Sequence, residues 1–128
     1  MARSAAARIL LEVRRRLREV RAAAWAGRIK WRRHALRQAY RRGIARRQAS
    51  RVLRTGEIIE ERPQAKPFPK CLLMAMVAPD RPLYVSAGYD RTRQTLYVIT
   101  VDWLDPRKWE DPWTRRSKPP KLNRKPDP

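Results

Sequence analysis

The stretch LYVITVDWLDPRKWEDPW, residues 96–113, decides how the rest of the chain is read. Preceded by Thr95, the run through Val101 is rich in β-branched, aromatic and aliphatic residues, as in a strand from the middle of a sheet. It stops at Asp102. Asp105-Pro106-Arg107-Lys108-Trp109 then reads as a turn into a short helical or extended tail. Asp105 can cap that turn, and Pro106 suits a first helical position, where no backbone N–H is needed. One short strand is not stable alone, so the upstream residues must supply its partners and a covering layer.

Working outward, residues 82–89 and 70–78 are further strands, joined by turns at 79–81 and 90–94. Residues 57–61 form a shorter strand, and the three prolines within 62–69 mark a loop. The short turns predict an antiparallel meander. Three helices precede it. In residues 4–26, Leu10, Val13, Leu17, Val20 and Ala24 fall at helical spacing on one stripe, with Arg14, Arg15, Arg16, Arg18 and Arg21 on the other faces. A second helix is predicted over 29–42, stopped by Gly43 after the dipole-compatible pair Arg41-Arg42, with Ile44 plugging the corner. A third runs over 45–54. Trp25 and Trp31 are expected to pack helix against sheet. The fold class is therefore α+β, N-terminal helices packed on a small antiparallel β-meander. The chain divides into a basic helical extension (1–28), an α+β domain (29–114) and a Pro/Lys-rich tail (115–128), which lacks apolar periodicity and is expected to be disordered.

The formal charge is +20, and it is uneven. Residues 1–55 hold 18 Lys and Arg against Glu12 and Glu19, while residues 56–128 hold 14 against 10 acids. A polyanion is the natural partner, nucleic acid first and an anionic protein or membrane second. Arginine dominance favours bidentate phosphate contacts and base stacking. The single cysteine, Cys71, rules out an intramolecular disulfide and lies in an apolar run, which makes it a core thiol. There is no metal-ligand cluster, P-loop or nucleophile elbow, so neither metal nor cofactor is expected. No apolar run is long enough to span a bilayer, and no secretory signal is evident. The Arg/Ala-rich start resembles an organelle transit peptide, but a cytoplasmic location is the expectation.

A family resemblance rests on His34-Ala35, Arg42-Gly43-Ile44, the run from Val52 to Glu61, Pro82-Leu83-Tyr84-Val85, and above all Tyr97-Val98-Ile99-Thr100-Val101 with Asp105-Pro106-Arg107-Lys108-Trp109-Glu110. In these residues the chain, from about 34 to 116, resembles the domain-of-unknown-function 4258 family. That family looks like small toxin-like proteins of the RelE, BrnT and MqsR sort, often encoded beside an antitoxin. The resemblance implies a toxin-like α+β domain, an antitoxin protein as partner, and metal-independent RNA cleavage through the substrate's 2′-hydroxyl. Such chemistry needs a general base, a general acid and cationic phosphate stabilisation. The sequence departs from the family pattern at three places: Tyr84 stands where a histidine is usual, Asp102 where a tyrosine is, and Gln38 where an arginine is common.

Within this reading the candidate catalytic residues are His34, the only histidine, with Tyr84 and Asp102. Strand alternation puts Tyr84 and Ser86 on one face and Leu83, Val85 and Ala87 on the other; on the last strand it groups Leu96, Val98, Thr100 and Asp102. Tyr84, Ser86, Thr100 and Asp102 are expected to share an open face, with Arg42 and Lys108 nearby. Arg37, Arg41, Arg42, Arg46, Arg107, Lys108 and Trp113 are the expected RNA contacts, and Trp109 is expected to close the core. The function this supports is a toxin-like protein that binds RNA rather than DNA, with binding ranked ahead of cleavage. Two other readings stand beside it: a non-catalytic basic nucleic-acid-binding module, and a protein whose N-terminal helix takes an acidic partner.

Overall fold

Residues 29–31 are a strand, where the sequence predicts the first turn of a helix. The structure, a computed structural model, describes residues 4–117 apart from Asp80. In it helix α1 (Ala5–Trp25) ends at Gly27, whose φ of 73° turns the chain back, and β1 (Ile29–Trp31) pairs parallel with the strand Thr95–Trp103. Ile29 and Trp31 are apolar at spacing two, which serves a strand as well as a helix. Three residues are too few for periodicity to choose between them; the available sheet edge does. Helix α2 (Arg33–Arg42) starts only afterwards and ends at Gly43 in the left-handed region, as the sequence predicts. Ile44 is buried at the corner before α3 (Arg46–Thr55).

Strands β2 (Glu57–Arg62), β3 (Lys70–Ala78), β4 (Arg81–Asp90) and β5 (Thr95–Trp103) then form the expected antiparallel meander, and β1 extends it to a five-stranded sheet in the order β1-β5-β4-β3-β2. Leu83, Val85 and Ala87 of β4, with Leu96, Val98 and Val101 of β5, face the helices and are fully buried. Strict alternation would put Leu96 and Val98 on the same side as Thr100 and Asp102. A bulge overturns this: Ser86 pairs with Thr100 but Ala87 with Val98, so Ile99 is an extra residue. Its insertion flips the parity of the strand, leaving Val98 in the core and Thr100 on the other face.

Helix α2 finishes the sheet edge that short β1 leaves unpaired. The Gln38 side-chain oxygen accepts from the Val101 backbone N–H at 3.2 Å, and Arg42 donates to the Val101 carbonyl at 2.8 Å. The Trp103 indole N–H donates to the Arg42 carbonyl at 2.8 Å. Open backbone groups invite another strand, and these side chains occupy them.

Only the C-terminal half of α1 packs on the body, through Leu17, Val20, Ala23 and Ala24. Trp25 does not join it: it is 68% exposed, with the Arg54 guanidinium 4.8 Å above its ring, whereas Trp31 does pack on the core. Beyond β5, β6 (Trp109–Asp111) and β7 (Thr114–Arg115) make a small hairpin, so Arg115, where the sequence predicts the tail to begin, lies in a strand. The remainder of that tail, from residue 118, lies outside the described residues.

Candidate nucleic-acid interface

The sheet face away from the helices is built in cross-strand rows, because directly opposed residues share a face. Arg62, Lys70, Gly88 and Tyr97 form the first row, extended on β1 by Lys30. Glu60, Leu72, Ser86 and Thr100 form the second, and Glu57, Met74, Tyr84 and Asp102 the third. The four residues expected to share the open face do lie on it.

The third row is roofed by the β6–β7 hairpin. Trp109 stacks on Tyr84 with ring centroids 4.6 Å apart, and the Tyr84 hydroxyl donates to the Pro112 carbonyl at 2.7 Å. Trp109 is thus buried as expected, but in a small cluster with Tyr84 and Met74 on this face rather than in the main core. Arg115 reaches from the hairpin to both carboxylate oxygens of Glu60, at 2.8 and 3.0 Å, and lies over the Trp109 ring.

Rows one and two stay open as the floor of a groove. A cavity of about 260 Å³ is lined by Arg32, His34, Phe68, Lys70, Tyr97 and Ile99. It shares Lys70 and Ile99 with a second of about 240 Å³, whose walls include Arg62, Ser86, Thr100 and Arg115. That one shares Thr100 and Arg115 with a third of about 100 Å³, reaching Tyr84, Asp102 and Lys108. Phe68 stacks on Tyr97 at 5.3 Å with the rings nearly parallel, and the Arg32 guanidinium sits over Tyr97.

The groove's carboxylates are already engaged. Glu60 holds Arg115, Asp102 holds Arg42 at 2.9 Å, and Asp105 holds Arg107 at 3.1 Å. Hydrogen bonds from the Arg107 side chain and backbone keep the Asp105 carboxyl below its ordinary range, so it stays charged and caps the turn as the sequence predicts. Arg32, Arg62 and Lys70 have no ion-pair partner among the described residues. The groove therefore presents uncompensated positive charge beside aromatic rings and hydroxyls.

The catalytic candidates are not brought together. His34 lies exposed in the first turn of α2, at the Arg32–Lys70 end. Tyr84 and Asp102 sit at the other end, under the hairpin. Burial, reinforced by Asp111 and partly opposed by Arg115, pushes the Tyr84 hydroxyl up to about 12, and its proton is committed to a carbonyl. Of the expected RNA contacts, Lys108 lines the groove and Arg42 is engaged at the β5 edge. Arg37, Arg41 and Arg46 are exposed on the helices and line none of it. Arg107 is bound to Asp105, and Trp113 lines a separate cavity with Arg21, Arg51 and Met74, its indole N–H donating to Glu57 at 2.5 Å. Sequence reasoning missed Arg32, Phe68, Lys70, Tyr97 and Arg62. Lys70, Leu72 and Met74 alternate along β3, which marks Lys70 as sharing their face, but the side of Tyr97 depends on the Ile99 bulge. Among the described residues no three His, Cys, Asp or Glu side chains come together as metal ligands.

Residues 31–103, more than half of the chain, match the family described as Domain of unknown function (DUF4258). The chain belongs to this family. No curated protein and no solved structure matches it. The DUF4258 segment starts at the last residue of β1 and ends with the last residue of β5, so it contains β2 to β5, α2, α3, His34 and most of the groove floor. Helix α1 and the hairpin that supplies Trp109 and Arg115 lie outside it.

Proposed function

We propose that this DUF4258 protein is a cytoplasmic, toxin-like RNA-binding protein that holds single-stranded RNA along the open sheet face. The observation that carries this reading is the unpaired set Arg32, Lys70 and Arg62 running beside the Phe68–Tyr97 stack. Cations along a groove neutralise successive phosphates, and half-buried Phe68, stacked on Tyr97, offers a ring to a base of any sequence, each stack contributing about 1–3 kcal/mol. Ser86 and Thr100 on the floor offer hydroxyls to the 2′-OH, the group by which RNA is told from DNA. Lys70→Ala combined with Arg62→Ala is expected to weaken binding of a fluorescent single-stranded RNA by at least tenfold in anisotropy titrations. Unchanged affinity would sink the assignment.

Cleavage is the second reading, and the placement of His34 in the same cavity as Arg32 and Lys70 favours it. There its imidazole would take the proton of a 2′-hydroxyl, whose oxygen attacks the adjacent phosphorus. The 5′-oxygen would leave and take a proton from water, giving a 2′,3′-cyclic phosphate and a 5′-hydroxyl end. Binding ranks first, because Tyr84 and Asp102 are already engaged at the other end. Incubation with total RNA in EDTA separates the two: cyclic-phosphate ends made by wild type but not by His34→Ala establish cleavage, and bound but intact RNA leaves a binding protein.

A further inference from the structure

The apolar stripe of α1 is longer than the body it packs on. Leu17, Val20 and Ala24 of the stripe are covered by the domain, but it continues to Val13 and Leu10, and Ile9, Leu10 and Leu11 are 64%, 51% and 40% exposed. Where the helix passes the end of β2 a cleft of about 370 Å³ opens, lined by Ala5, Arg8, Ile9, Glu12, Glu61 and Pro63, with Arg16 at its root. The helix is fixed against the sheet there: Arg16 donates to Glu61 at 2.8 Å, both side chains largely buried, and Arg21 to the Gly56 carbonyl at 3.0 Å. The first turns of α1 are therefore held out as a rigid apolar ledge.

We propose that this ledge docks an acidic amphipathic helix of a partner protein. Leu10 and Val13, three apart, continue at helical spacing the stripe that the domain covers from Leu17 onward, and this free end is the seam that a second helix packs into. The surrounding charge names its sign. Glu12 and Glu19 are engaged with Arg15, Arg16 and Arg91, whereas Arg8, Arg14 and Arg18 have no ion-pair partner among the described residues. A second copy of this chain would bring an equally basic helix against the first, and like charges across a seam oppose pairing. An anionic membrane would match the charge equally well, so the choice rests on shape. A helix lying on a membrane buries its apolar face along its length, whereas Leu17, Val20 and Ala24 are already covered here and only the first turns of α1 are free.

The test uses the full-length protein and, as probe, a synthetic helix with leucine at the heptad a and d positions and glutamate at e and g. The partner variant is Ile9→Gln with Leu10→Gln, both at exposed positions outside the core. The acidic helix is expected to bind wild type and to lose at least tenfold in affinity on the double variant, while single-stranded RNA binding stays the same. Equal binding of the helix to wild type and variant would overturn the proposal. So would a Leu10-dependent dimer in sedimentation, or Leu10-dependent binding to phosphatidylserine vesicles without peptide binding. Because the RNA titration reads the groove separately, failure here leaves the groove reading standing, and failure there leaves this one.

Discussion

At the scale of single residues, what a side chain can do here follows from what already holds it. Cys71 faces the main core, and burial, with Glu61 adding and Arg16 subtracting, pushes its thiol up to about 12. Only the thiolate reacts with alkylating agents. Native Cys71 is therefore expected to resist iodoacetamide at neutral pH and to react once the chain is unfolded in denaturant, which mass spectrometry reads directly. Tyr84→Phe removes one hydrogen bond to the hairpin and is expected to cost about 1 kcal/mol of unfolding free energy while leaving RNA affinity unchanged. Loss of RNA binding at normal stability would put Tyr84 back among the working groups. Burial raises the Asp90 carboxyl, but hydrogen bonds from Arg93 and Thr92 outweigh it and the net shift is downward. A depressed folded value stabilises above the ordinary carboxylate range, and that stabilisation is lost as pH falls through the folded value. Asp90→Asn should accordingly lower the melting temperature at neutral pH, with the gap to wild type closing in acid. His34 was legible as a candidate because it is the sole histidine; that it lies away from Tyr84 and Asp102 was not legible.

At the scale of elements, the parts that sequence patterning describes poorly are the short ones. β1 and the hairpin have three or fewer residues per strand and exist because a larger surface is ready to receive them. The hairpin's anchor is Trp109, only 6% exposed. Trp109→Ala is expected to cost about 3–5 kcal/mol in denaturant unfolding, as for a large core aromatic. A neutral result would mean that the hairpin is an appendage. Helix stops were easier to read. Gly43 was recognisable from sequence as the end of α2, and its φ of 65° is a conformation that a Cβ makes costly. Gly43→Ala should lose about 1–2 kcal/mol by the same assay.

At the scale of the whole molecule, charge dominates. The total of +20 implies strong attraction to any polyanion, so affinity alone says little about where RNA sits. Salt dependence says more: each phosphate neutralised in a single-stranded site releases counterions and contributes about 0.7 to the slope of log affinity against log salt. Lys70→Ala should flatten that slope by about this amount, and a substitution of helix-borne Arg37 should leave it alone if the groove is the site. The sequence by itself determined the fold class, the antiparallel meander of β3, β4 and β5, the core face of β4, the glycine stop of α2, and the excess of arginine, since periodicity, turn residues and composition are local properties. Only the tertiary structure decided that β1 joins the sheet, that the Ile99 bulge turns Thr100 outward, that the hairpin closes over Tyr84, and that Arg32, Lys70 and Phe68 meet Tyr97. Those outcomes depend on which distant backbone edges and side chains come into contact, and no window of local sequence carries that.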